Sequence, residues 1–441
     1  MKTLQVILAL SALILIHETG HFTFARLFGI RVDKFFLFFD IGGVKLFSTR
    51  SRWFLRLFPK AASWETEYGI GWLPLGGYCK ISGMIDESMD LESLSGEPKP
   101  WEFRTRPAWQ RLLVMGGGVL YNFIFAIIVY IAIAGIWGTA YLPNENCEIY
   151  AGPLAEKMGF RTGDRVLMLD DYVPEDFSRL QLDLVRRDVR KATVLRGEDT
   201  LDLYIDQNYI PELLQTPDLF DLAVPFTVES FMEGSLNADR LQPGDRIVEI
   251  DGAAVPYVQD SRKILRLHPG ETVLAGVIRG EDTLAIPLQI DSAGMLGIFT
   301  KSPVEASYRS YSFFEAIPEG LKLTLRQISG YIQDLRLVFT PRTEAYKSVG
   351  SFIAIGQIFP SAWNWYAFLN ILAVLSIMLG VMNLLPIPAL DGGHIVFLLY
   401  EIIARRKPSD RFMAVAQTIG MILLFLLMFL AFGNDIGRLL R

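Results

Sequence analysis

Residues 14–25, Ile14-Leu15-Ile16-His17-Glu18-Thr19-Gly20-His21-Phe22-Thr23-Phe24-Ala25, set three ionisable side chains inside an apolar run that starts at residue 3 and carries no charge before His17. An ionisable group at membrane depth is costly and marks a functional site by default. On a helix, residues four apart share a face, so His17 and His21 offer two imidazoles to one metal ion while Glu18 lies beside them, able to carry a proton. This is the H-E-x-x-H arrangement of zinc hydrolases. A histidine pair that merely snorkels to the lipid interface needs neither the spacing nor the central Glu. A cleaved signal peptide is the competing reading of the N-terminus. The stretch shows no clear small-residue cleavage site, and cleavage would discard two of only four histidines, so a retained first span is expected.

Composition sets the frame around this stretch. The 441 residues are 51% hydrophobic yet 20% charged, so a membrane part and a water-soluble part are both expected. The mean hydropathy of +0.31 agrees. A net charge of -6 gives no basic field, and nucleic acid is not an expected partner. Cys79 and Cys147 flank an expected span, so no disulfide framework is indicated.

After the first span, residues 26–60 hold Arg26, Arg31, Lys34, Lys45, Arg50, Arg52, Arg56 and Lys60 against Asp33 and Asp40 alone, which places this loop in the cytoplasm and the N-terminus outside. Gly69 to Ile81 is apolar and aromatic but broken by Pro74 and by Gly71, Gly76 and Gly77. It reads as a hairpin over 66–82 that dips into the membrane beside the site, since irregular backbone is tolerated there only where protein or a water-filled cavity satisfies it. An ordinary surface hairpin is the alternative. Leu112 to Asn144 is uncharged and supplies span two, expected over 110–140. Gly116, Gly117 and Gly118 near its start allow close backbone approach.

Residues 145 to about 300 repeat themselves. Gly163-Asp164-Arg165-Val166 returns as Gly244-Asp245-Arg246-Ile247, and Arg-Gly-Glu-Asp-Thr-Leu occurs at 196–201 and again at 279–284, so two copies of one domain are expected over 145–220 and 221–302. Each copy has the layout of a small β-rich domain and strongly resembles the PDZ domain, which binds an extended peptide as an added strand. His268, in the second copy, has no metal-ligand spacing around it and reads as a surface residue. A connector over 303–360 contains an amphipathic helix, with Leu321, Leu325, Ile328, Ile332 and Leu335 at helical spacing. It either lies on the outer leaflet or leans against the second copy.

No charge occurs from Ser348 to Leu390, and span three is expected over 366–385. Asn383-Leu384-Leu385-Pro386-Ile387-Pro388-Ala389-Leu390-Asp391-Gly392-Gly393-His394 follows; its prolines end the helix and its glycines permit a turn that aims Asp391 back into the bundle. Spans one and three run in the same direction, so Asp391 falls at the depth of the histidines and is a candidate third ligand. Arg405-Arg406-Lys407 is cytoplasmic by charge, span four is expected over 412–433, and Arg438 and Arg441 then lie outside against the charge rule. The membrane core thus comprises residues 1–144 and 361–441.

The combination of H-E-T-G-H, P-L-G-G-Y at 74–78, Asn122-Phe123, tandem PDZ-like copies and N-x-x-P-x-P-x-L-D-G-G-H at 383–394 resembles the site-2 protease family of intramembrane metalloproteases over essentially the whole chain. It is most similar to the bacterial members that cut membrane-bound anti-sigma factors. The resemblance implies a polytopic α-helical membrane protein with four spans, a re-entrant β-hairpin and two PDZ-like domains. It also implies a Zn2+ site of His17, His21 and Asp391, Glu18 as the acid/base and Asn383 as a substrate contact. Its expected partners are membrane lipid and single-pass transmembrane substrates pre-trimmed by a site-1 protease, in a bacterial inner membrane with both termini and the PDZ-like domains periplasmic. Two departures stand out. Gly116-Gly117-Gly118-Val119 replaces a G-P pair, and Trp53 to Phe58 is a local hydrophobic insertion. A rival reading is a PDZ-bearing membrane scaffold or chaperone with a structural metal site, for which His394 is the candidate fourth ligand. Capping of span three is the alternative role for Asn383.

Overall fold

A computed structural model describes residues 1–84, 97–216 and 218–439, so Arg441 lies outside the described residues. The chain divides into two compact units: Met1–Gly138 with Ser310–Val338 and Tyr346–Arg441, and Thr139–Arg309 with Phe339–Ala345.

In the first unit the apolar runs become helices α1 (Lys2–Leu27), α2 (Ala108–Trp137), α3 (Phe313–Val338), α4 (Trp365–Leu384), α5 (Asp391–Ala404) and α6 (Asp410–Leu439). Four of them, α1, α2, α4 and α6, are long and apolar enough to cross a membrane. Along α1 the buried residues Gln5, Ala9, Leu13, His17, His21 and Ala25 recur every four positions, so the histidines belong to the inward stripe of the helix. Ala9 and Leu13 pack on Phe368, Leu372 and Leu375 of α4, and the other side of α4 packs Ala373, Ile377 and Val381 on Ala126, Val129 and Ile133 of α2. Helix α6 buries only 17% of its most apolar window against 44% for α4, so it lines the edge of the bundle rather than its core.

Within the first unit the amphipathic helix packs along one of the apolar helices. Leu323, Ile328, Tyr331 and Leu335 of α3 pack on α2, and the helices approach so closely that a Cβ on Gly320 would lie 2.5 Å from the Ile131 nitrogen. The stripe that reads as a lipid-facing surface is thus partly a helix-packing face, opened by a glycine.

The hairpin expected over 66–82 is not formed. Strands β1 (Val32–Phe39), β2 (Lys45–Ser48), β3 (Glu67–Gly71) and β4 (Leu73–Ile81) make a sheet in the order β2-β3-β1-β4, with β1 parallel to β3 and antiparallel to β4. Only Trp72 separates β3 from β4, too short a link for a two-residue turn. The aromatic strand Val-Asp-Lys-Phe-Phe-Leu-Phe-Phe inserts between them, pairing Phe36 with Gly69 on one side and with Tyr78 on the other.

The second unit holds the repeats. The first copy has an antiparallel sheet of Arg165–Leu169, Lys191–Arg196 and Asp199–Tyr204, and the second has Arg246–Ile250, Thr272–Arg279 and Asp282–Gln289 in the same order. Strand Phe220–Leu222 pairs with Ile149–Ala151 of the first copy. The repeated sequence words explain each other. Gly163 and Gly244 take φ of 92° and 94°, which suits glycine, and turn Asp164 and Asp245 inward. Each aspartate then receives a two-pronged bond from the arginine that opens the other repeated word: Arg196 at 2.7 and 2.8 Å, Arg279 at 2.7 and 2.6 Å. Asp245 also accepts the Gln242 backbone N–H at 2.8 Å.

The Arg279 guanidinium holds the Asp245 carboxyl below the usual carboxylate range. A lowered folded-state pKa means that the pair contributes stability above the ordinary carboxylate pKa of about 4, and that this contribution is lost as pH falls through the folded value. A fully buried pair broken from one side costs about 3–5 kcal/mol. Asp245 is 1% exposed, but Arg279 is 30% exposed and can recover some hydration. Asp245→Asn is therefore expected to cost about 2–3 kcal/mol at neutral pH. The difference from wild type should narrow below about pH 4, read as hydrogen-exchange protection of Arg246–Ile250.

Candidate active site

Two glycine contacts bring the site together. A Cβ on Gly20 would lie 2.2 Å from the Gly117 carbonyl oxygen, so the backbones of α1 and α2 touch at this crossing. A Cβ on Gly118 would lie 2.6 Å from both His17 Cε1 and His21 Nε2 and would fill the space the imidazoles occupy, whereas Gly116 faces open space. Two of the three glycines in the run therefore carry the close approach.

At the other side of the site, α5 begins at Asp391 immediately after the proline-rich turn. A Cβ on Gly392 would lie 2.1 Å from the Leu385 oxygen and one on Gly393 2.3 Å from the Pro388 Cα, so the two glycines let α5 fold back against the end of α4. An ion pair of low exposure, Arg111 Nη2 to Glu401 Oε1 at 2.5 Å, fastens α5 to α2. Helix α5 has no counterpart in the sequence reading, because its fourteen apolar-rich residues are too few to span a membrane and follow a breaker.

His17 Nε2 and His21 Nε2 lie 3.2 Å apart, and Asp391 Oδ2 lies 3.2 Å from the first and 3.4 Å from the second. Among the described residues, these three are the group able to hold a metal ion. His21 Nδ1 donates to the Val114 carbonyl at 2.9 Å, which leaves its Nε2 with a lone pair. Asp391 Oδ2 is buried without a hydrogen-bond partner. Lone pairs therefore face one another, an arrangement that repels unless a cation sits between them. The separations match the edge of a tetrahedron, about 3.3 Å when zinc–ligand bonds are about 2.0–2.1 Å. The three residues fit zinc.

Asn122, fully buried on α2, has its carboxamide 3.1 Å from His17 Nδ1 and one amide atom, Oδ1, without a partner. The two ends of an amide have the same shape. With Oδ1 turned toward the ring it accepts from Nδ1–H, which satisfies that oxygen and frees His17 Nε2 to bind metal. Its backbone carbonyl accepts from Ser376 of α4 at 2.9 Å, tying the three helices at one point. The sequence offered Asn122 only within a short motif; a carboxamide in an uncharged span was the available signal.

Glu18 is half-buried beside the three and lies near the backbone of Cys79 on β4. The Asn383 amide lies 3.4 Å from His17 Nε2. The last turn of α4 is closed by the Leu385 N–H on the Met382 carbonyl, so end-capping does not engage the Asn383 side chain. His394, one turn along α5, is not in the three-residue group. His268 is half-buried at the surface of the second copy and bonds Glu271 at 2.8 Å. Both cysteines are free thiols.

Residues 5–427 match Peptidase family M50. The chain belongs to that family. It is a zinc metalloprotease of the membrane. A putative zinc metalloprotease of Xylella fastidiosa (strain Temecula1 / ATCC 700964) is 29% identical over 98% of this chain and 97% of its own length. The regulator of sigma-E protease RseP of Escherichia coli (strain K12) is 29% identical over 98% of each chain. A solved PDZ domain of an SdrC-like protein from Listeria monocytogenes is 29% identical, covering 17% of this chain and 84% of its own, with a TM-score of 0.16.

Removing a hydrogen bond that orients a metal-binding histidine lowers metal affinity about 10–100-fold in other sites. Asn122→Ala in the protease is expected to weaken zinc binding by about that factor, measured by competition with a chelating dye. His394→Ala should leave the affinity within about twofold of wild type, because a three-ligand site does not use it.

Proposed function

We propose that His17, His21 and Asp391 hold the zinc ion and that Glu18 is the general acid and base of an intramembrane endopeptidase acting on single-pass transmembrane segments. The observation that carries this reading is the triangle of ligand atoms 3.2, 3.2 and 3.4 Å on a side with Glu18 next to it. Three protein ligands leave one position open, and zinc held there supplies Lewis acidity, polarising a carbonyl and lowering the pKa of water to about 7. Glu18 takes the proton of the attacking water as it adds to the scissile carbonyl, then delivers it to the departing amine nitrogen. The scaffold reading requires a site closed by a fourth protein ligand, and the only nearby histidine, His394, stands apart from the group.

A transmembrane helix hides its peptide bonds in its own hydrogen bonds, so the substrate must be held locally unwound. Strand β4 suits that task. It is an edge strand, paired on one side with β1, and it runs along α1 with Gly77 against Ile14 and Cys79 beside Glu18. Its free edge can receive an extended segment as an added strand, delivering a carbonyl to the site. Asn383 donates an amide hydrogen bond to that segment. The contact of β4 with the middle of α1 supports a re-entrant sheet within the bilayer. The basic loops at 26–60 and 405–407 favour a cytoplasmic position for this end of α1, with both termini outside, in the inner membrane of a bacterium.

The second unit is read as two PDZ-like domains on the periplasmic side. It joins the membrane unit at the end of α2 and before the start of α3, so a bulky block is tethered to the bundle at both ends. It acts as a gate that admits substrates already trimmed of their external domain by a site-1 protease. Steric exclusion needs no specific peptide, and anti-sigma factors are the expected class of substrate.

Glu18→Gln keeps both imidazoles and is expected to retain zinc while losing cleavage by at least about a hundredfold, since general acid–base catalysis contributes about 10²–10⁴. Elemental analysis together with cleavage of a single-span substrate reads both, and wild-type turnover would remove Glu18 from the mechanism. Deleting the second unit should let the protease cut a substrate with its external domain attached. If trimmed substrate is no longer cut and the full-length form is still refused, the repeats recruit rather than gate.

A further inference from the structure

The insertion between β2 and β3 takes no part in the reading above. Residues 41–64 contain Lys45, Arg50, Arg52, Arg56 and Lys60 and no acidic residue. Within them Arg52–Leu57 forms a short helix. Phe54 faces inward, with its ring 5.4 Å from that of Phe47 and 6.4 Å from that of Trp64. The outward face carries Trp53, 54% exposed, and Leu57, 66% exposed, followed by Phe58 at 57%. Arg52, Arg56 and Lys60 are exposed beside them. Large apolar side chains in water are costly, and this set is not scattered but grouped on one short helix and framed by cations.

The depth of the insertion is fixed by its attachments. Glu65, at its downstream end, pairs with Arg26 in the last turn of α1 at 2.5 Å. Trp64 stacks edge-on to Tyr68, which meets Phe22 of α1. Trp109, in the first turn of α2, is exposed and packs on Phe28 at the same end. Two membrane-crossing helices therefore begin or end at this level with exposed tryptophans around them, the pattern of a bilayer interface. The insertion is preformed: Arg50 Nη2 donates to the Trp64 carbonyl at 3.2 Å and Ser51 Oγ to the Ser48 carbonyl at 2.7 Å, clasping its two ends. A cavity of about 250 Å³, lined by Lys45, Ser48, Arg50, Ser51, Trp53 and Glu67, opens at its base. Glu67 pairs with Lys45 there at 2.6 Å, and among the described residues the Arg50 guanidinium on the same lining pairs with no carboxylate.

We propose that residues 50–64 are an interfacial anchor that binds anionic phospholipid headgroups, with Trp53, Leu57 and Phe58 in the acyl boundary and Arg50, Arg52, Arg56 and Lys60 on the phosphates. An apolar face flanked by arginines matches such an interface in both hydrophobicity and charge. A soluble protein partner would have to cover Trp53, Leu57 and Phe58 at a level where lipid already covers the neighbouring spans. The anchor fixes the depth and tilt of the sheet that carries β4, and so the level at which substrate is presented. It rests on the membrane placement of α1 and α2, not on the substrate or on the catalytic roles.

The test uses the full chain in nanodiscs of phosphatidylcholine, or of phosphatidylcholine and phosphatidylglycerol in equal amounts, with a nitroxide label on Leu57→Cys. The expected result is that oxygen reaches the label better than a water-soluble nickel chelate, and that this ratio rises with phosphatidylglycerol. Arg52→Gln/Arg56→Gln should remove the rise and weaken phosphatidylglycerol binding in a lipid titration about fivefold per charge, the equivalent of about 1 kcal/mol. Zinc content in both variants should match wild type, which separates failure of the anchor from loss of the fold. A label equally open to the chelate in both lipids overturns the proposal. So does a label shielded from both agents in a self-associated protein, since a second copy would then be the occupant.

Discussion

Three acceptor atoms, His17 Nε2, His21 Nε2 and Asp391 Oδ2, face one another within 3.4 Å inside a bundle of apolar helices. Lone pairs so placed repel, and the low polarity around them magnifies the repulsion, which a bound cation relieves. Much of the surrounding architecture maintains that convergence. Gly20 and Gly117 bring α1 and α2 into backbone contact, Gly118 clears the imidazoles, and Gly392 and Gly393 fold α5 back so that its first residue returns to the site. Val114 and Asn122, both on α2, hold the outer nitrogens of the two rings. The proposed ligands come from α1 and α5 but their orientation comes from α2, so on that reading metal binding depends on a helix that contributes no ligand.

The same economy governs the sheet. A β-sheet must satisfy its backbone, and here it does so by mixed pairing, with the aromatic β1 in the middle and β4 against α1. That leaves one strand edge next to Glu18. A helical substrate lacks free backbone donors and acceptors until it unwinds, and an open edge beside the proposed proton carrier is where unwinding would be compensated. Cleavage and local unfolding of the substrate are in this view one event.

Legibility from sequence tracked the range of the physics. The approach of His17 and His21 is legible because a helix puts neighbours four apart on one face, and Asp391 stands out because it ends a long uncharged run. The four apolar helices were readable from length and composition alone. The repeats were readable as duplicated words, though not why those words mattered: the aspartate of one binds the arginine of the other across a turn of chain of about thirty residues. What stayed hidden was non-local. Strand β1 separates β3 from β4, and nothing in residues 66–82 announces a third strand between two that are adjacent in sequence. Helix α3 rests on α2 through Gly320, a contact that hydrophobic periodicity cannot address. Asn122 was visible as a polar residue in a span but its partner, His17, lies 105 positions away.

The duplicated aspartate–arginine pair also bears on how the two units divide their labour. Each copy closes its own fold with a local ion pair and its own apolar core, such as Ile247, Ile250, Val273, Val277 and Leu288 in the second. The membrane unit is organised by the converse principle, through contacts between residues separated by a hundred positions or more around buried polar atoms. Changes on the surface of the repeats therefore leave the imidazole and carboxylate geometry undisturbed, whereas few changes in α1, α2 or α5 near the site can do so. If the repeats gate substrates as proposed, selectivity and chemistry are separable in this chain because each unit is held by its own set of contacts.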